Sequence, residues 1–129
     1  MHTLPESAVL LRIFIGESDK LKGKPLYETI VEEARRQQLA GATVLRGIMG
    51  YGVNSRIHTF KLFALSEDMP LIIEIVDTWE KLSAFLPIVE AFADQSQTGI
   101  LITKENLTII RYTGDRKSTR LNSSHESPS

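Results

Sequence analysis

The apolar residues of this chain follow two different periods along its length. Short apolar runs rich in aliphatic and β-branched residues predict strands, because such runs are typical of buried or half-buried strands. One of them, at residues 60–65, is also consistent with a folded-back loop. The predicted strands are residues 8–15, 42–51, 60–65, 71–76, 100–103 and 107–112, the last two around a turn at residues 104–106.

A helical period begins after Pro25 and predicts a first helix over residues 26–39. Proline suits the first turn of a helix, and Gly41 is placed to end this helix in a left-handed conformation. The charged stretch ahead of it, residues 17–24, is predicted to be a loop.

A second apolar stripe runs over residues 82–93 at helical spacing. Asp77 and Thr78 precede it, and both are candidate N-caps because their side-chain oxygens can accept hydrogen bonds from the first backbone N–H groups. Pro87 lies inside the stripe and lacks an N–H, so it predicts a helix that bends around the sheet or is interrupted. The polar residues 94–99 are predicted to form a loop.

The order of these elements is β, α, β, (β), β, α, β, β. Two halves that each contain an amphipathic helix predict an α+β ferredoxin-like sandwich, with both helices on one face of an antiparallel sheet. The other face stays apolar and uncovered in a single chain, which predicts self-association. Arg12 is the polar exception in the first strand; we interpret it as snorkelling or pairing with an acid, with a site residue as the alternative.

The composition is that of one ordinary globular domain of 129 residues, 42% hydrophobic and 24% charged. A net charge of −1 argues against general binding to nucleic acid or anionic membranes. The absence of cysteine excludes disulfides, thiol catalysis and thiolate metal sites, and fits a reducing cytoplasm. No apolar run approaches the roughly 18–20 residues of a membrane span, and the N-terminus lacks the basic region of a secretory signal. We therefore expect a cytoplasmic protein.

Both ends of the chain are predicted to lie outside the folded domain. Residues 1–7 are a polar lead-in, and residues 113–129 have one aliphatic side chain and no periodicity, as is typical of a disordered tail. The run DRKSTRLNSSH at residues 115–125 looks like the reading-frame translation of a sequencing adapter. We therefore expect an assembly artefact fused to a domain of residues 8–112.

Candidate catalytic and metal-binding groups are sparse. The histidines ahead of the tail are His2 and His58, and there is no GxSxG elbow for a serine nucleophile. Glu74 and Asp77 are a possible carboxylate pair, but a strand position and a helix cap are the favoured interpretations. The lysines of residues 20–24 precede a helix N-terminus, which favours anions, although a solvated loop is the simpler interpretation. Neither catalysis nor metal binding is the leading hypothesis.

The stretch RGIMGYGVNSRIHT, residues 46–59, is the most unusual feature of the sequence. Gly47, Gly50 and Gly52 fall at the end of a predicted strand, where glycine permits a positive φ or the close approach of another group. The spacing is not GxGxxG and no GK[ST] follows, so neither nucleotide fingerprint applies. The glycines predict a loop base whose backbone N–H groups face a ligand or a neighbouring subunit.

Four blocks of sequence occur in an order and spacing that match a known family. They are GESDKLKGKPLYETIVEEAR at residues 16–35, GATVLRGIMGYG at 41–52, HTFKLFALSEDMPLIIEIVD at 58–77 and LTIIRY at 107–112. Together they resemble the PII-like family known as domain of unknown function 190, over residues 8–112. The resemblance implies a PII-like ferredoxin-like unit that forms homotrimers with the sheets packed inward. It also implies an adenine-nucleotide site between subunits, at the end of the second strand and the base of the following loop.

Carried over by position, the resemblance assigns an effector site to this region. Thr43 in GATV corresponds to a threonine near the loop base, and Gly50 and Gly52 in MGYG correspond to loop-base glycines. Val53 stands where PII proteins have an arginine, a role that Arg56 can take from further along the loop. The implied effector-binding residues are Thr43, Gly50, Tyr51, Gly52, Val53, Arg56 and His58.

The phosphate end of the implied site departs from the family pattern. Residues 94–101 read DQSQTGIL and lack the lysine or arginine of the PII phosphate-binding loop. Each charge-assisted hydrogen bond lost there is worth roughly 1.5–3 kcal/mol, so a triphosphate is expected to bind weakly. The expected effector is AMP or ADP, another small anion, or no nucleotide at all.

The leading hypothesis is a homotrimeric PII-like regulator, not an enzyme, in which an effector reorders a mobile loop at residues 53–68. The implied partner that senses this loop is a protein such as a membrane transporter. The alternative is a ligand-free trimeric scaffold, and its partner-binding residues are Phe60, Leu62, Phe63 and Leu65. A third possibility, a metal-tolerance-like protein, has only His58 to offer as a metal ligand.

Overall fold

The computed structural model of the chain describes residues 4–48, 50 and 68–114. Within this part, two helices and six strands follow one another, and two of the strands are very short. The elements are β1 (Ser7–Gly16), β2 (Lys20–Leu21), β3 (Lys24–Pro25), α1 (Leu26–Arg36), β4 (Ala42–Arg46), β5 (Pro70–Asp77), α2 (Trp79–Ser96) and β6 (Leu101–Thr108).

Four of the strands form one antiparallel sheet in the order β4-β5-β1-β6. β1 lies between β5 and β6, as the apolar residues on both of its faces predict. In the register of the two ladders, Arg12 lies opposite Glu74 on β5 and opposite Thr103 on β6. Because directly opposed residues project from the same face, this register decides which side chains meet on each side of the sheet.

Both helices pack on one face of the sheet and form the hydrophobic core with it. Burying an aliphatic or aromatic side chain stabilises a fold by about 1.5–3 kcal/mol, so this layer holds the chain together. The architecture is the predicted α+β ferredoxin-like sandwich. The almost fully buried apolar side chains include Leu11, Ile13, Leu26, Ile30, Ile73, Ile75, Leu82, Phe85 and Val89.

The first helix ends earlier than predicted because its last turn closes in a Schellman motif. Gln38 takes a left-handed φ of 61°. The N–H of Leu39 then donates to the carbonyl of Ala34 at 3.1 Å, which satisfies one of the free carbonyls at the helix end. The prediction that Gly41 is the left-handed cap is therefore wrong, because Gln38 takes that conformation.

The second helix is continuous through Pro87, so an interruption there is excluded. Pro87 is exposed, and water can therefore reach the carbonyl that its missing N–H leaves free. The Thr78 hydroxyl accepts a hydrogen bond from the Lys81 N–H at 3.3 Å, so Thr78 rather than Asp77 is the N-cap. The helix also continues past residue 94, into the stretch predicted as a polar loop.

The last strand is unbroken, whereas the sequence predicted two strands around a turn at residues 104–106. These residues continue the ladder with β1 instead. Their polar side chains suit a strand at the edge of the described sheet. Glu105 reaches Arg12 on one face, and the Lys104 ammonium lies 3.8 Å from the centre of the Trp79 ring on the other. The polar run is therefore an exposed edge strand.

Three further boundaries differ from the predictions. Of the residues described within the strand predicted at 42–51, only those of β4 form a regular strand, and the strand predicted at residues 107–112 gives way to irregular chain after β6. The charged stretch of residues 17–24 contributes to a small hairpin, β2–β3, rather than a plain loop. Lys22 and Gly23 form its turn with φ values of 53° and 80°, and a positive φ is the reason for glycine there.

Some predictions fall outside the described residues. They include the strand or folded-back loop at residues 60–65 and most of the tail, residues 115–129. Both stay predictions, and so do the domain limits of 8–112.

The face of the sheet opposite the helices is uncovered in the single chain, and we call it the open face. Its side chains are half-buried or exposed, and Leu45 and Leu101 on the two edge strands expose 44% and 46% of their surface. The predicted apolar face without a helix layer is thus confirmed for the described residues. Around Arg12 and Glu74, the apolar members of the open face are Leu10, Phe14, Leu45, Ile72, Val76, Leu101 and Leu107.

Candidate functional site

A cavity of about 450 Å³ lies on the open face, at the end of the sheet where β4 begins and β5 ends. Its floor is apolar, since Leu10 and Val76 lie opposite each other in the β1–β5 ladder. Thr43 and Glu74, which are opposed in the β4–β5 ladder, add a hydroxyl and a carboxylate. The remaining lining residues are Leu4, Ala40, Gly41, Ala42, Ile109, Arg111 and Tyr112.

A buried carboxylate holds the part of the cavity wall that connects α1 to β4. Asp77 is 1% exposed, and its Oδ2 accepts a hydrogen bond from the Ala40 N–H at 2.8 Å. Its Oδ1 accepts from the Thr78 N–H at 2.7 Å. The Ala40 carbonyl accepts a longer hydrogen bond, at 3.4 Å, from the Tyr112 hydroxyl. Asp77 is therefore a structural residue.

The possible pairing of Glu74 with Asp77 as two catalytic carboxylates is excluded. Successive residues of a strand point to opposite faces, and the two residues are an odd number of positions apart on β5. Asp77 is buried on the helix side, whereas Glu74 lies on the open face. The strand position of Glu74 is confirmed, whereas Asp77 is a buried structural residue but not the N-cap of α2.

The polar side chains of the cavity carry complementary chemistry. Arg111 brings a guanidinium, which binds carboxylates and phosphates through a planar fork of donors. Glu74 brings a carboxylate acceptor, and Thr43 and Tyr112 bring hydroxyls that both donate and accept. With the apolar floor, this set suits a small molecule that has a flat apolar body, an anionic group and hydrogen-bond donors.

Glu74 is paired with Arg12, which lies at the centre of the open face. The Arg12 Nε donates to Glu74 Oε2 at 3.0 Å, and the Nη1 donates to Glu105 Oε1 at 3.0 Å. The hydrogen bond to Glu74 is the largest of the effects that raise the pKa of Arg12 above its ordinary value, and Glu105 adds to it. The interpretation of Arg12 as pairing with an acid is confirmed.

The structure describes two of the predicted effector-binding residues, and within one chain it places them apart. Thr43 lines the cavity. Gly50 lies against Pro70, at the start of β5. Thr43 lies opposite Glu74, which is four positions further along β5, so about 13 Å of strand separates Pro70 from Glu74. The other predicted effector and partner residues lie outside the described residues and stay predictions: Tyr51, Gly52, Val53, Arg56, His58, Phe60, Leu62, Phe63 and Leu65.

The glycines at the end of β4 fit closely against a proline ring. A Cβ on Gly47 would lie 2.9 Å from Pro70 Cγ, and a Cβ on Gly50 would lie 3.3 Å from the same atom. The Gly47 N–H also donates to the Pro70 carbonyl at 2.7 Å. Close packing on Pro70 therefore accounts for glycine at position 47 and favours a small residue at position 50, where the sequence suggested a ligand or a subunit.

The turn after β1 holds both ends of the segment of residues 49–67. Glu17 Oε1 accepts hydrogen bonds from Arg46 Nε at 3.0 Å and from the Met69 N–H at 3.4 Å. On the same turn, the Ser18 N–H donates to Asp68 Oδ1 at 3.1 Å. The base of the segment is therefore fixed to the rigid sheet on both sides.

The lysine-rich hairpin of residues 20–24 lies at the other end of β1 from the cavity. The hairpin follows Gly16, the last residue of β1. Gly16 is six positions along the strand from Leu10 on the cavity floor, a distance of about 20 Å between the two residues. Lys24 also pairs with Glu32 on α1. Within one chain these lysines do not contribute to the cavity, in agreement with a solvated hairpin.

Sequence reasoning missed most of the cavity. Glu74 was interpreted as a strand residue, with a carboxylate pair as the alternative, and neither interpretation assigned it to a ligand cavity. Arg111 and Tyr112 were assigned to a strand. They line the cavity together with Ala40, which lies 72 residues before Tyr112 in the chain, and no local pattern indicates this placement.

Neither a metal centre nor a membrane span is found in the part of the chain that the structure describes. There, His, Asp and Glu side chains do not form a group of three or more that could hold a metal ion. The helices described are also too short or too polar to cross a bilayer.

Solved structures that share this architecture include PII-like proteins. CPII from Thiomonas intermedia K12, a nitrogen regulatory PII-like protein bound to ADP, AMP and bicarbonate, matches with a TM-score of 0.62 at 15% identity, over 81% of this chain and 90% of CPII. A putative PII-like signaling protein from Thermus thermophilus matches with a TM-score of 0.55 at 19% identity, over 81% and 89% of the two chains. At these identities the likeness shows the fold, which is PII-like.

The chain belongs to the DUF190 family, described as Uncharacterized ACR, whose family model matches residues 8–109. A UPF0166 protein of Aquifex aeolicus (strain VF5) is 41% identical over 101 residues, which cover 78% of this chain and 91% of the relative. A UPF0166 protein of Methanocaldococcus jannaschii is 41% identical over 80 residues, or 62% and 73% of the two chains. The family resemblance in the sequence is thereby confirmed.

Proposed function

We propose that this chain is a PII-like regulatory protein that binds an adenine nucleotide, AMP or ADP, in the cavity on its open face. It works as a cytoplasmic homotrimer and has no catalytic role. Nucleotide binding alters the segment of residues 53–68, and a partner such as a membrane transporter responds to that segment. The observation that carries the proposal is the cavity itself. CPII, which shares the fold, is bound to ADP and AMP.

The chemistry of the cavity supports an adenine nucleotide. Its volume of about 450 Å³ lies within the range of roughly 300–1,000 Å³ that is usual for small-molecule sites. The apolar floor of Leu10 and Val76 suits a purine ring, and Arg111 suits a phosphate. Glu74 can accept hydrogen bonds from an amine or from sugar hydroxyls. Residues 94–99 contain no lysine or arginine, which favours a mono- or diphosphate.

The open face supports assembly of several copies. It presents apolar side chains on all four strands of the sheet, around the central Arg12–Glu74 pair, and apolar patches on soluble proteins usually form interfaces. Copies that pack their open faces together would bury this set and close the cavity at its edge. The trimeric state follows from the PII resemblance.

Isothermal titration calorimetry of the full chain with AMP, ADP, ATP and cyclic AMP tests the nucleotide assignment. We expect heat with AMP or ADP and a weaker response to ATP. The same nucleotides should raise the unfolding temperature, because a ligand that binds only the folded state stabilises it. No heat and no thermal shift with any of the four would contradict the assignment.

A second candidate function is a ligand-free trimeric scaffold. The observation that favours it is the packing on Pro70, which accounts for Gly47 and favours a small residue at Gly50 without a ligand. Under this alternative, sedimentation would show an intact trimer, and calorimetry would detect no heat of binding with any of the four nucleotides. Partner binding would then depend on Phe60, Leu62 and Phe63 and would not change on adding ADP.

A further inference from the structure

An ionic staple crosses three strands of the open face, and it consists of Arg12, Glu74 and Glu105. The cation is on β1, and the two carboxylates are on the neighbouring strands β5 and β6. Arg12 Nε donates to Glu74 Oε2 and Arg12 Nη1 donates to Glu105 Oε1, both at 3.0 Å. Because a guanidinium is planar and rigid, two such contacts from different strands fix its orientation.

The surroundings of the ionic staple favour the pairing of Glu74 with Arg12. A carboxylate beside apolar surface is unfavourable unless a cation or hydrogen-bond donors compensate it. Among the described residues, Arg12 is the one hydrogen-bond donor to Glu74, so removing Arg12 would let the carboxylate turn away towards bulk water. The neighbours of Arg12 and Glu74 on the same face of their strands are Leu10, Phe14, Ile72 and Val76.

The ionic staple reaches the cavity through Glu74 alone. Glu74 lines the cavity with Thr43 and Arg111, whereas Arg12 and Glu105 do not line it. Within the described part of the chain, only Oε2 of Glu74 accepts a hydrogen bond, so Oε1 keeps its capacity to accept one from a ligand. Arg12 is thus one residue removed from the cavity and holds one of its polar groups.

We infer that Arg12 is a positioning residue for the nucleotide site. It holds the Glu74 carboxylate so that Oε1 accepts a hydrogen bond from an amine or hydroxyl of the bound nucleotide, and Glu105 anchors Arg12 from the other side. The inference rests on the proposed function and adds to it the residue that sets the direction of the acidic group in the cavity.

A double-mutant cycle on ADP affinity tests this role with the full chain. Calorimetry compares the parent with Arg12→Met, Glu74→Gln and the two combined. Arg12→Met keeps most of the side-chain stem and removes the guanidinium. Each single change is expected to weaken ADP binding by about tenfold, the size of one charge-assisted hydrogen bond. The double variant should bind no more weakly than Glu74→Gln alone, because Arg12 acts only through Glu74.

Two further variants separate positioning from general damage. Lys104→Met removes a cation from the helix-side face of the same sheet, where it stacks on Trp79, and should leave the ADP affinity unchanged. Glu105→Gln removes only the anchor, on an exposed edge strand, and should weaken ADP binding by less than Arg12→Met. If Arg12→Met does not fold, as judged by thermal unfolding, Glu105→Gln takes its place in the cycle. The four proteins compared are then the parent, Glu105→Gln, Glu74→Gln and the variant that combines the two changes.

The outcomes distinguish this inference from the proposed function. If the parent chain binds neither ADP nor AMP, the proposed function fails and the inference fails with it. If the parent binds ADP and Arg12→Met binds it equally well, only the inference fails. It also fails alone if the losses of the two single variants multiply in the double variant, since Arg12 would then act independently of Glu74.

Discussion

Asp77 and Ala40 are joined by a hydrogen bond of 2.8 Å between a carboxylate and a backbone N–H, although they belong to distant parts of the chain. The same carboxylate accepts from the Thr78 N–H at the start of α2. One buried side chain therefore sets the entry to β4, the start of the second helix and one wall of the cavity. Its two acceptor oxygens are both used, so its role depends on a carboxylate.

Replacing Asp77 by Asn is expected to lower the free energy of unfolding by about 1–3 kcal/mol. The amide has a single acceptor oxygen, so one of the two buried N–H groups loses its partner. Urea unfolding followed by circular dichroism measures the change. Asp94→Asn, an exposed position on α2, is the matched control and should stay within about 0.5 kcal/mol of the parent. An Asp77→Asn variant as stable as the parent would refute the assignment.

Gly47→Ala is expected to destabilise the fold by about 1–3 kcal/mol, because the new methyl group would lie 2.9 Å from Pro70 Cγ. Gly41→Ala is the control: among the described residues its Cβ would meet no atom within 4 Å. That variant should be neutral or gain about 0.4–1 kcal/mol through the unfolded state. Adding Pro70→Ala to Gly47→Ala should restore part of the loss. Equal stabilities of the two alanine variants would show that Pro70 does not require a glycine here.

Gln38→Gly is expected to raise the free energy of unfolding by roughly 0.5–1 kcal/mol. Gln38 has a φ of 61°, a conformation that is unfavourable for residues with a Cβ and accessible to glycine. Gln37→Gly, at the preceding position with a φ of −81°, is the comparison and should lose stability. Thermal and urea unfolding give both values. If both glycine variants are less stable than the parent, the left-handed conformation of Gln38 does not cost the fold measurable stability.

The sequence predicted those parts of the molecule that local periodicity determines. The paired Arg12 was anticipated because a lone charge in an apolar strand needs a partner. Residues 104–106 were misassigned because lysine, glutamate and asparagine occur both in turns and on exposed edge strands, and only the sheet order decides between them. The cavity could not be predicted because tertiary packing brings Arg111 and Tyr112 to the cavity that Thr43 and Ala40 also line, and such packing leaves no periodic signal.

The contribution of Arg12 to stability is expected to be the same at pH 7 and at pH 10. The pKa of Arg12 is raised in the folded chain, chiefly by its hydrogen bond to Glu74. A group with a raised pKa stabilises the fold at every pH below its unfolded value, and the effect is lost only as the pH rises through the folded value. For arginine both values lie well above the pH range of this comparison. The difference in urea midpoint between the parent and Arg12→Met should therefore agree at the two pH values. A difference that shrinks at pH 10 would be inconsistent with this pairing.

Ile72→Lys is expected to disrupt assembly of the proposed homotrimer while leaving the single chain folded. Ile72 lies on the open face, opposite Phe14 and Leu45 in the two β5 ladders, so a copy packed there would have to bury the new ammonium without a partner. In the single chain the same lysine can reach water, and the core on the other face of the sheet is untouched. Sedimentation velocity over a range of concentrations compares this variant with the parent and with Ala84→Lys, which adds the same charge at an exposed position of α2. We expect the parent and Ala84→Lys to sediment as trimers and Ile72→Lys to sediment as a smaller species. If Ile72→Lys assembles like the parent, the interface lies elsewhere, and if the parent itself sediments as a monomer at every concentration, the trimer is wrong.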